Sequence, residues 1–183
     1  MTQLPDIRFR PAKVDDVPEL HSLVESAYRG ETAKRGWTHE ADLLGGQRTD
    51  PAALKQMVED ADQTILLGIS DDKLIGCVQM VRITAETSYL GLLTVDPNNQ
   101  SGGIGKLLLS AGEDHAGQVW KTPVIEMKVI KQRSSLIAWY ERRGYKLTGE
   151  YQPFPLDDPD FGIPKTQALE FAILRKELGL KPV

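Results

Sequence analysis

The sequence predicts a single domain of the α/β (α+β) class, with a mixed, twisted central sheet and helices on both faces. Segments with strand and helix periodicity follow the order β-α-α-β-β-β-α-β-α-β-β. Consecutive early strands favour antiparallel pairing, whereas a later strand–helix–strand segment needs a crossover between parallel strands. The chain has 183 residues and no internal repeat or linker-like stretch. That length suits one sizeable hydrophobic core over residues 1–183.

The secondary structure of the first half of the chain is predicted from two periodicities and from the positions of prolines. Alternating apolar and polar residues indicate strands, and apolar residues three or four apart indicate helices. Pro18 and Pro51 stand where helices begin, each after an aspartate that can cap the helix. The predicted elements are a strand over 7–11, a helix from Asp15 or Asp16 that Gly30 ends, a long connection over 31–49, a helix from Asp50, and strands over 64–70, 73–83 and 87–95.

The second half begins with a glycine-rich turn. Asp96-Pro97 stops the preceding strand, because proline fixes φ and has no N–H for a sheet. Apolar residues then recur at helical spacing. The predicted elements are a helix from Ile104 to about Trp120, a strand over 124–130, a helix over 134–143, a strand over 145–150, a proline-rich loop over 151–165 and a strand over 166–175.

Composition excludes several functional classes. A net charge of −4 and a pI of about 5.4 argue against nonspecific nucleic-acid or anionic-membrane binding, which need a basic face, but leave room for a local basic patch. The single cysteine, Cys77, leaves no disulfide framework, and three scattered histidines show no metal-ligand spacing. No apolar run is long enough to span a membrane, and the N-terminus does not resemble a signal peptide. We therefore expect a cytoplasmic protein without a metal.

The turn over 100–105 has the features of an anion site. A strand runs into a glycine-rich loop at the start of a helix, where unpaired N–H groups and the helix dipole favour a phosphate. Two common phosphate loops fit poorly. Leu107 follows Gly105-Lys106, so the hydroxyl of a P-loop is missing. Leu108 occupies the place of the third glycine of a dinucleotide fingerprint.

The pattern that fits is Q-x-x-G-x-G at Gln100, Gly103 and Gly105, preceded by V-D-P. It resembles the acetyl-CoA loop of the GNAT superfamily of N-acetyltransferases. A second segment, Ala138–Tyr145, is similar to that family's later helix, which ends in a tyrosine, a charged turn, a glycine and an aromatic residue. The resemblance covers residues 7–175 and agrees with the predicted order of elements.

This resemblance implies acetyl-CoA as co-substrate, with the loop amides on its pyrophosphate and the preceding strand along its pantetheine arm. Lys106 either adds charge there or is a solvated helix residue. Arg133 stands where many members carry an asparagine, and it either meets a coenzyme phosphate or lies on the surface. The implied coenzyme-binding residues are Leu93, Thr94, Val95, Gln100, Ser101, Gly102, Gly103, Ile104, Gly105, Lys106, Arg133 and Ser134.

The implied reaction is transfer of the acetyl group to a primary amine of a small molecule or peptide. Tyr140 matches the family's tyrosine that protonates the leaving thiolate. A tyrosine side chain has a pKa of about 10, which suits that role. The alternative is that Tyr140 only packs against the coenzyme. A base must take the proton of the amine. Sequence does not choose among a backbone carbonyl with water and the carboxylates Glu86, Glu126, Glu40, Asp157 and Asp158.

Long connections are often functional, and the resemblance implies that residues 31–49 form one wall of the acceptor pocket. Its candidate side chains are Trp37, Glu40 and Arg48. The alternative is a packed surface loop that Trp37 anchors. Two other functions compete with acetyl transfer: a non-catalytic acyl-CoA-binding or sensing module, and nucleotide binding without transfer. An exposed sheet edge near the last strands would suit a homodimer.

Overall fold

The computed structural model of the chain describes residues 6–34, 40–158, 161–166 and 168–180, so Trp37 lies outside the described residues. The helices are α1 (Val17–Tyr28), α2 (Gly30–Ala33), α3 (Pro51–Glu59), α4 (Ile104–Asp114) and α5 (Ser134–Glu141). The strands are β1 (Arg8–Pro11), β2 (Leu44–Gly45), β3 (Gln63–Ser70), β4 (Lys73–Arg82), β5 (Thr87–Val95), β6 (Val124–Ile130), β7 (Lys146–Pro153), β8 (Ile163–Pro164) and β9 (Glu170–Glu177).

The central sheet has seven strands in the order β1-β3-β4-β5-β6-β9-β7. Its neighbours are antiparallel except β5 and β6, which run parallel through the α4 crossover. The predicted mixed sheet is therefore confirmed. The parallel pairing covers only Thr87–Tyr89 against Val124–Glu126, although both strands continue beyond it. β5 and β6 consequently part in the middle of the sheet.

Helices cover both faces of the sheet, as predicted. Alternate residues of β3 and β4 enter different cores: Leu66 and Val78 face α4 and α5, whereas Leu67 and Cys77 face α1 and α3. Cys77 is fully buried, as expected for a core residue. The sheet is thus the middle layer of three.

Helix α4 lies unusually close to the sheet at Gly76 of β4. A Cβ at that position would come within 2.5 Å of Leu108 Cδ1 and 2.7 Å of the Thr94 carbonyl oxygen. Since neither approach is possible for a side chain, glycine at this position lets α4 settle against β4 and β5. This contact fixes the start of α4, and with it the glycine-rich turn.

Two segments predicted as loops contain short strands. Within 31–49, Leu44 and Gly45 pair antiparallel with Pro164 and Ile163 of the late proline-rich loop. Two-residue strands are too short to show alternation, so periodicity could not predict them. The pairing holds the two loops together beside the opening between β5 and β6.

Several boundaries also differ from the predicted ones. The helix after the glycine-rich turn is α-helical to Asp114 and continues as a π-helical turn over His115–Trp120. Strand β7 extends to Pro153, and β9 begins only at Glu170. The Asp50 cap is confirmed, because its carboxylate accepts the Ala53 N–H at 2.8 Å.

Within these described ranges, the helices are too short or too polar to traverse a lipid bilayer. The same residues contain no group of three or more histidine, cysteine, aspartate or glutamate side chains placed to hold a metal ion.

Candidate active site

A bulge in β5 opens the sheet at the candidate site. Between the pairs Gln79–Gly91 and Cys77–Thr94, β5 has one residue more than β4. Leu92 lies in this bulge with a φ of 47°, which is unusual for a residue with a branched side chain. As a result Leu90 faces the α4 core and Leu92 the α1 core. The bulge redirects the end of β5 away from β6.

The glycine-rich turn closes on the end of β5. The Asp96 carboxylate accepts the Asn98 N–H at 2.9 Å, and the Gln100 side-chain amide donates to the Val95 carbonyl at 3.3 Å. Gln100 therefore closes the turn by a hydrogen bond to the end of β5. A short 3-10 turn over Gln100–Gly102 then leads to α4.

Gly103 is the N-cap residue before α4 and has a conformation that favours glycine, with φ 73° and ψ 7°. No side chain of the described residues caps this helix. Because the first N–H groups of a helix have no partner within it, the amides of Gly103 to Lys106 can donate to a ligand. The helix dipole adds partial positive charge at the same place.

A cavity lies in front of this turn, and we call it the loop cavity. Three cations line it, Lys106, Arg133 and Arg143, and no carboxylate among the described residues does. It therefore suits a polyanion such as a diphosphate. The lining residues are Ala27, Tyr28, Leu93, Val95, Gln100, Gly103, Gly105, Lys106, Arg133, Leu136, Trp139, Tyr140 and Arg143.

Arg143 is a cation of this cavity that the sequence reasoning missed. Its guanidinium lies 3.6 Å from the centroid of the Trp139 ring and donates to the Trp139 carbonyl at 2.7 Å. Its Nε is buried, has no hydrogen-bond partner in the described part of the chain, and burial lowers its pKa. Two consecutive arginines before Gly144 were the available signal, but they resemble an ordinary charged turn.

A second cavity of about 420 Å³ lies where β5 and β6 part, and we call it the wedge cavity. Its volume is within the range of small-molecule sites, roughly 300–1,000 Å³. Residues of β5, β6, α1, the 40–48 segment and the late loop line it. The wedge cavity and the loop cavity share five lining residues, Tyr28, Leu93, Arg133, Leu136 and Tyr140.

Tyr140 lies at this junction and is 5% exposed. Its ring contacts Trp139 and Tyr145 edge-on, with centroids 5.0 and 5.8 Å away. Burial raises the pKa of its hydroxyl, so the group stays protonated through the neutral range. The hydroxyl makes no hydrogen bond to the residues that the structure describes, so it can donate to a ligand.

Tyr28, the last residue of α1, is the second tyrosine of the junction. Its hydroxyl donates to the Leu93 carbonyl at 2.6 Å and thereby joins α1 to the redirected end of β5. The Leu93 carbonyl is therefore engaged by the protein itself.

Glu40 reaches the junction from the 31–49 connection and is 8% exposed. It receives hydrogen bonds from the Arg29 and Arg133 guanidinium groups. Burial alone would raise the pKa of Glu40, but Arg133, Arg48 and Arg29 together hold it below its ordinary value. Glu40 is thus an anion at neutral pH. Arg133 does not lie on the surface, because its side chain is only 10% exposed and pairs with Glu40. It lines both cavities.

The third predicted acceptor-pocket residue, Arg48, also lines the wedge cavity. Its guanidinium carbon lies 5.2 Å from the centroid of the Tyr28 ring. The structure thus brings Glu40 and Arg48 together at one cavity.

Other candidate carboxylates do not line either cavity. Glu86 is exposed in the turn before β5, where its N–H donates to the Thr84 hydroxyl at 3.1 Å. Glu126 on β6 accepts from Arg175 at 2.8 Å. Asp157 and Asp158 lie in the late loop, outside both linings.

Some predicted coenzyme contacts also lie apart from the loop cavity. Thr94 is buried and donates to the Leu92 carbonyl at 2.9 Å, and Ile104 belongs to the core. Ser134 is exposed and is the first residue of α5, not its cap. Gly102 is exposed, and the backbone of Ser101 lies in the 3-10 turn. Leu93, Val95, Gln100, Gly103, Gly105, Lys106 and Arg133 do line the cavity.

Comparisons with solved structures show the same fold. The ribosomal-protein-S18-alanine N-acetyltransferase from Escherichia coli is 13% identical with a TM-score of 0.70, and the match covers 96% of each chain. An N-acetyltransferase from Staphylococcus aureus Mu50 is 12% identical with a TM-score of 0.70, over 94% of this chain and 97% of that one. The spermidine/spermine N-acetyltransferase SpeG from Vibrio cholerae, in complex with manganese ions, is 12% identical with a TM-score of 0.66, over 94% and 92%.

A search of curated proteins finds no match. A family model described as an acetyltransferase (GNAT) domain matches residues 32–154. That span includes the glycine-rich turn, the parted strands and Tyr140, and it exceeds half of the chain. The protein therefore belongs to the GNAT acetyltransferase family.

Proposed function

We propose that the protein transfers the acetyl group of acetyl-CoA to a primary amine by direct attack of the amine on the thioester. The observation that carries this proposal is the junction of the two cavities at Tyr140. One cavity has the amides and cations that a coenzyme diphosphate needs, and the other is large enough for a small acceptor. A donor in the first and an amine in the second would meet there.

The residues of the loop cavity fit the coenzyme. The amides of Gly103 to Lys106 and the charges of Lys106 and Arg143 would hold its phosphates. A Cβ on Gly105 would lie 3.6 Å from Trp139 and 3.7 Å from Val95, so the missing side chain leaves room beside the turn. When bound, acetyl-CoA supplies an activated acetyl thioester. An N–H near Leu93 to Val95 would polarise its carbonyl.

Tyr140 is the acid of the proposed reaction. The amine nitrogen forms a bond to the acetyl carbon, the carbon–sulfur bond breaks, and the Tyr140 hydroxyl donates to the sulfur as negative charge builds there. The nitrogen releases its proton to water, and water returns a proton to the Tyr140 oxygen, which restores the enzyme. The buried, protonated hydroxyl of Tyr140, without a partner among the described residues, supports this role.

The wedge cavity is not suited to a carboxylate base. Glu40 is its lining carboxylate among the described residues, and two arginines hold it as an ion pair. We propose instead that the surrounding cations lower the pKa of the bound ammonium, which raises its reactive neutral fraction. A free alkyl amine, with a pKa of about 10.4, is otherwise almost entirely protonated at neutral pH.

The test is thiol release from acetyl-CoA across a panel of primary amines, together with a thermal shift. Acetyl-CoA should raise the melting temperature whereas ATP should not, and at least one amine should release thiol with matching N-acetyl product by mass spectrometry. Binding without turnover on any amine would favour a sensing module. No shift with acetyl-CoA would refute both hypotheses.

A further inference from the structure

We infer that the acceptor carries an anionic group beside its amine, a carboxylate or a phosphonate, that pairs with the Arg48 guanidinium in the wedge cavity. This inference rests on the acetyl transfer proposed above and names the class of amine that the cavity selects. It separates this protein from an enzyme for polyamines.

The wedge cavity is cationic although the chain is acidic. Its charged lining residues in the described ranges are Arg29, Arg48, Lys128 and Arg133 against Glu40. Four positive charges and one negative charge leave a formal +3, whereas the whole chain carries −4. A local field of this sign repels a ligand with several ammonium groups and attracts one that also bears an anion.

Arg48 differs from the two arginines beside it. Arg29 and Arg133 both pair with the Glu40 carboxylate, and Arg29 also donates to the Phe161 carbonyl at 3.5 Å. Arg48 makes no ion pair with a residue that the structure describes. Its charge is half-buried and faces a cavity in which the carboxylate already has two partners.

The main chain holds Arg48 in place. The N–H groups of Arg48 and Thr49 both donate to Oε1 of Glu25, at 2.7 and 2.8 Å, which ties this segment to α1. The guanidinium lies over the ring of Tyr28, whose hydroxyl is in turn bound to the Leu93 carbonyl. Arg48 is therefore positioned before any ligand arrives.

The charge of Arg48 reaches the cavity between the strands. Burial raises the pKa of Tyr28 and Tyr89, and in both cases Arg48 is the largest opposing influence. Because the guanidinium lies over the ring of Tyr28, which lines both cavities, an anion paired with Arg48 would lie beside the junction with the loop cavity. A guanidinium pairs in two-pronged fashion with a carboxylate or phosphonate, which also fixes the direction of the neighbouring amine.

The remaining wall indicates what else the acceptor carries. Phe154, Phe161 and Phe171 form an aromatic group with centroid separations of 6.2 and 5.2 Å from Phe154. All three line the wedge cavity. An apolar substituent would contact these rings, so leucine is a suitable probe: it combines an amine, a carboxylate and an apolar side chain.

The experiment measures thiol release with the full chain and saturating acetyl-CoA. Leucine and its phosphonate analogue are compared with leucinamide, 3-methylbutylamine and spermidine. Since these changes also alter the pKa of the amine, kcat/KM is compared across pH at equal concentrations of neutral amine. We expect kcat/KM for one of the two anionic amines to exceed that for each of the other three by at least about tenfold, the equivalent of about 1.4 kcal/mol. The ratio of kcat/KM between leucine and its phosphonate analogue identifies the preferred anion.

The matched variants are Arg48→Gln and, as control, Arg8→Gln, whose side chain pairs with the exposed Asp72 outside the cavity. Arg48→Gln should raise KM for the anionic amine about tenfold and change that for 3-methylbutylamine by a clearly smaller factor. The melting-temperature shift with acetyl-CoA should be unchanged in both variants, which shows that each is folded.

Two results overturn the inference. If leucinamide, 3-methylbutylamine or spermidine equals or exceeds both anionic amines in the native protein, the cavity does not select an anion, although acetyl transfer stands. If acetyl-CoA binds and no amine in the panel releases thiol, acetyl transfer fails and the inference fails with it.

Discussion

The Tyr28 hydroxyl donates to the Leu93 carbonyl across 2.6 Å and holds the redirected end of β5 against α1. Tyr28→Phe should remove about 1 kcal/mol of stability, which corresponds to a fall in melting temperature of about 2–4 °C. Because β5 borders both cavities, kcat/KM for the acceptor should fall as well. Tyr151→Phe, at an exposed ring, is the control and should leave both values unchanged. An unaltered rate in Tyr28→Phe would show that the hydrogen bond does not position the site.

Tyr140→Phe tests the proposed role of Tyr140 as the acid that protonates the leaving sulfur. We expect the rate of thiol release to fall about 10²-fold or more, with the Kd of acetyl-CoA unchanged. Since burial raises the pKa of Tyr140, the native enzyme should show no loss of rate from ionisation of this group up to about pH 10. A rate that is equal in native and variant proteins across pH would mean that Tyr140 only packs against the coenzyme.

Gly103→Ala tests the helix start. With φ at 73°, an alanine there should cost about 1–2 kcal/mol and displace the amides that face the loop cavity. Gly149, with φ 82° and nothing within 4 Å of the place that a Cβ would take, provides a matched control of the same backbone strain. Both variants should lose stability, and only Gly103→Ala should weaken acetyl-CoA binding, by about tenfold. Equal affinities would exclude the turn as the coenzyme site.

Arg143→Gln tests the cation stacked on Trp139. Its loss should raise the Kd of acetyl-CoA about tenfold, or about 1.4 kcal/mol, and reduce the dependence of binding on salt. The neighbouring Arg142 is exposed and outside the cavity, so Arg142→Gln should bind normally. Isothermal titration at two ionic strengths distinguishes the two. A normal Kd for Arg143→Gln would show that Arg143 does not bind the coenzyme phosphates.

Glu40→Gln tests the buried ion pair. Removing one partner should destabilise the protein by about 3–5 kcal/mol, because two arginines lose their counter-charge. The pKa of Glu40 is lowered from its ordinary value of 4.5, so its stabilisation is complete above that pH and is lost as pH falls through the folded-state pKa. As the pH falls below about 4.5, the native melting temperature should therefore fall more steeply than that of the variant. Glu170→Gln, from a half-exposed pair with Lys131, should change stability by less than about 1 kcal/mol.

Local sequence signals predicted the parts of the site that lie within one segment. The strand, turn and helix around Gly103 were predicted because the residues that indicate them are adjacent in the sequence. Asp96-Pro97 ends the strand, glycines follow, and apolar residues at helical spacing begin at Ile104. Tyr140 was found from its place before a charged turn and Gly144. The Asp50 cap followed from a short-range pattern, since its bond spans three residues.

Contacts between distant segments could not be predicted in that way. Tyr28 and Leu93 are 65 residues apart, and Glu40 and Arg133 are 93 residues apart. Neither contact produces a periodic pattern or a fixed residue spacing that could be recognised in the sequence. The bulge at Leu92 likewise depends on register with β4, and a continuous apolar strand conceals it. These long-range contacts decide which candidate carboxylate reaches the cavities and that Glu40 does so as an ion pair.

The burial of Cys77 would make a coenzyme thiol released in the proposed reaction easy to observe. It is the one cysteine in the sequence, its side chain has no exposed surface, and burial raises the pKa of its thiol to about 12. Disulfide reagents require an accessible thiolate. A chromogenic disulfide added to the native enzyme should therefore report only the sulfur liberated during turnover, and a slow signal in the absence of substrate would mark molecules that have unfolded.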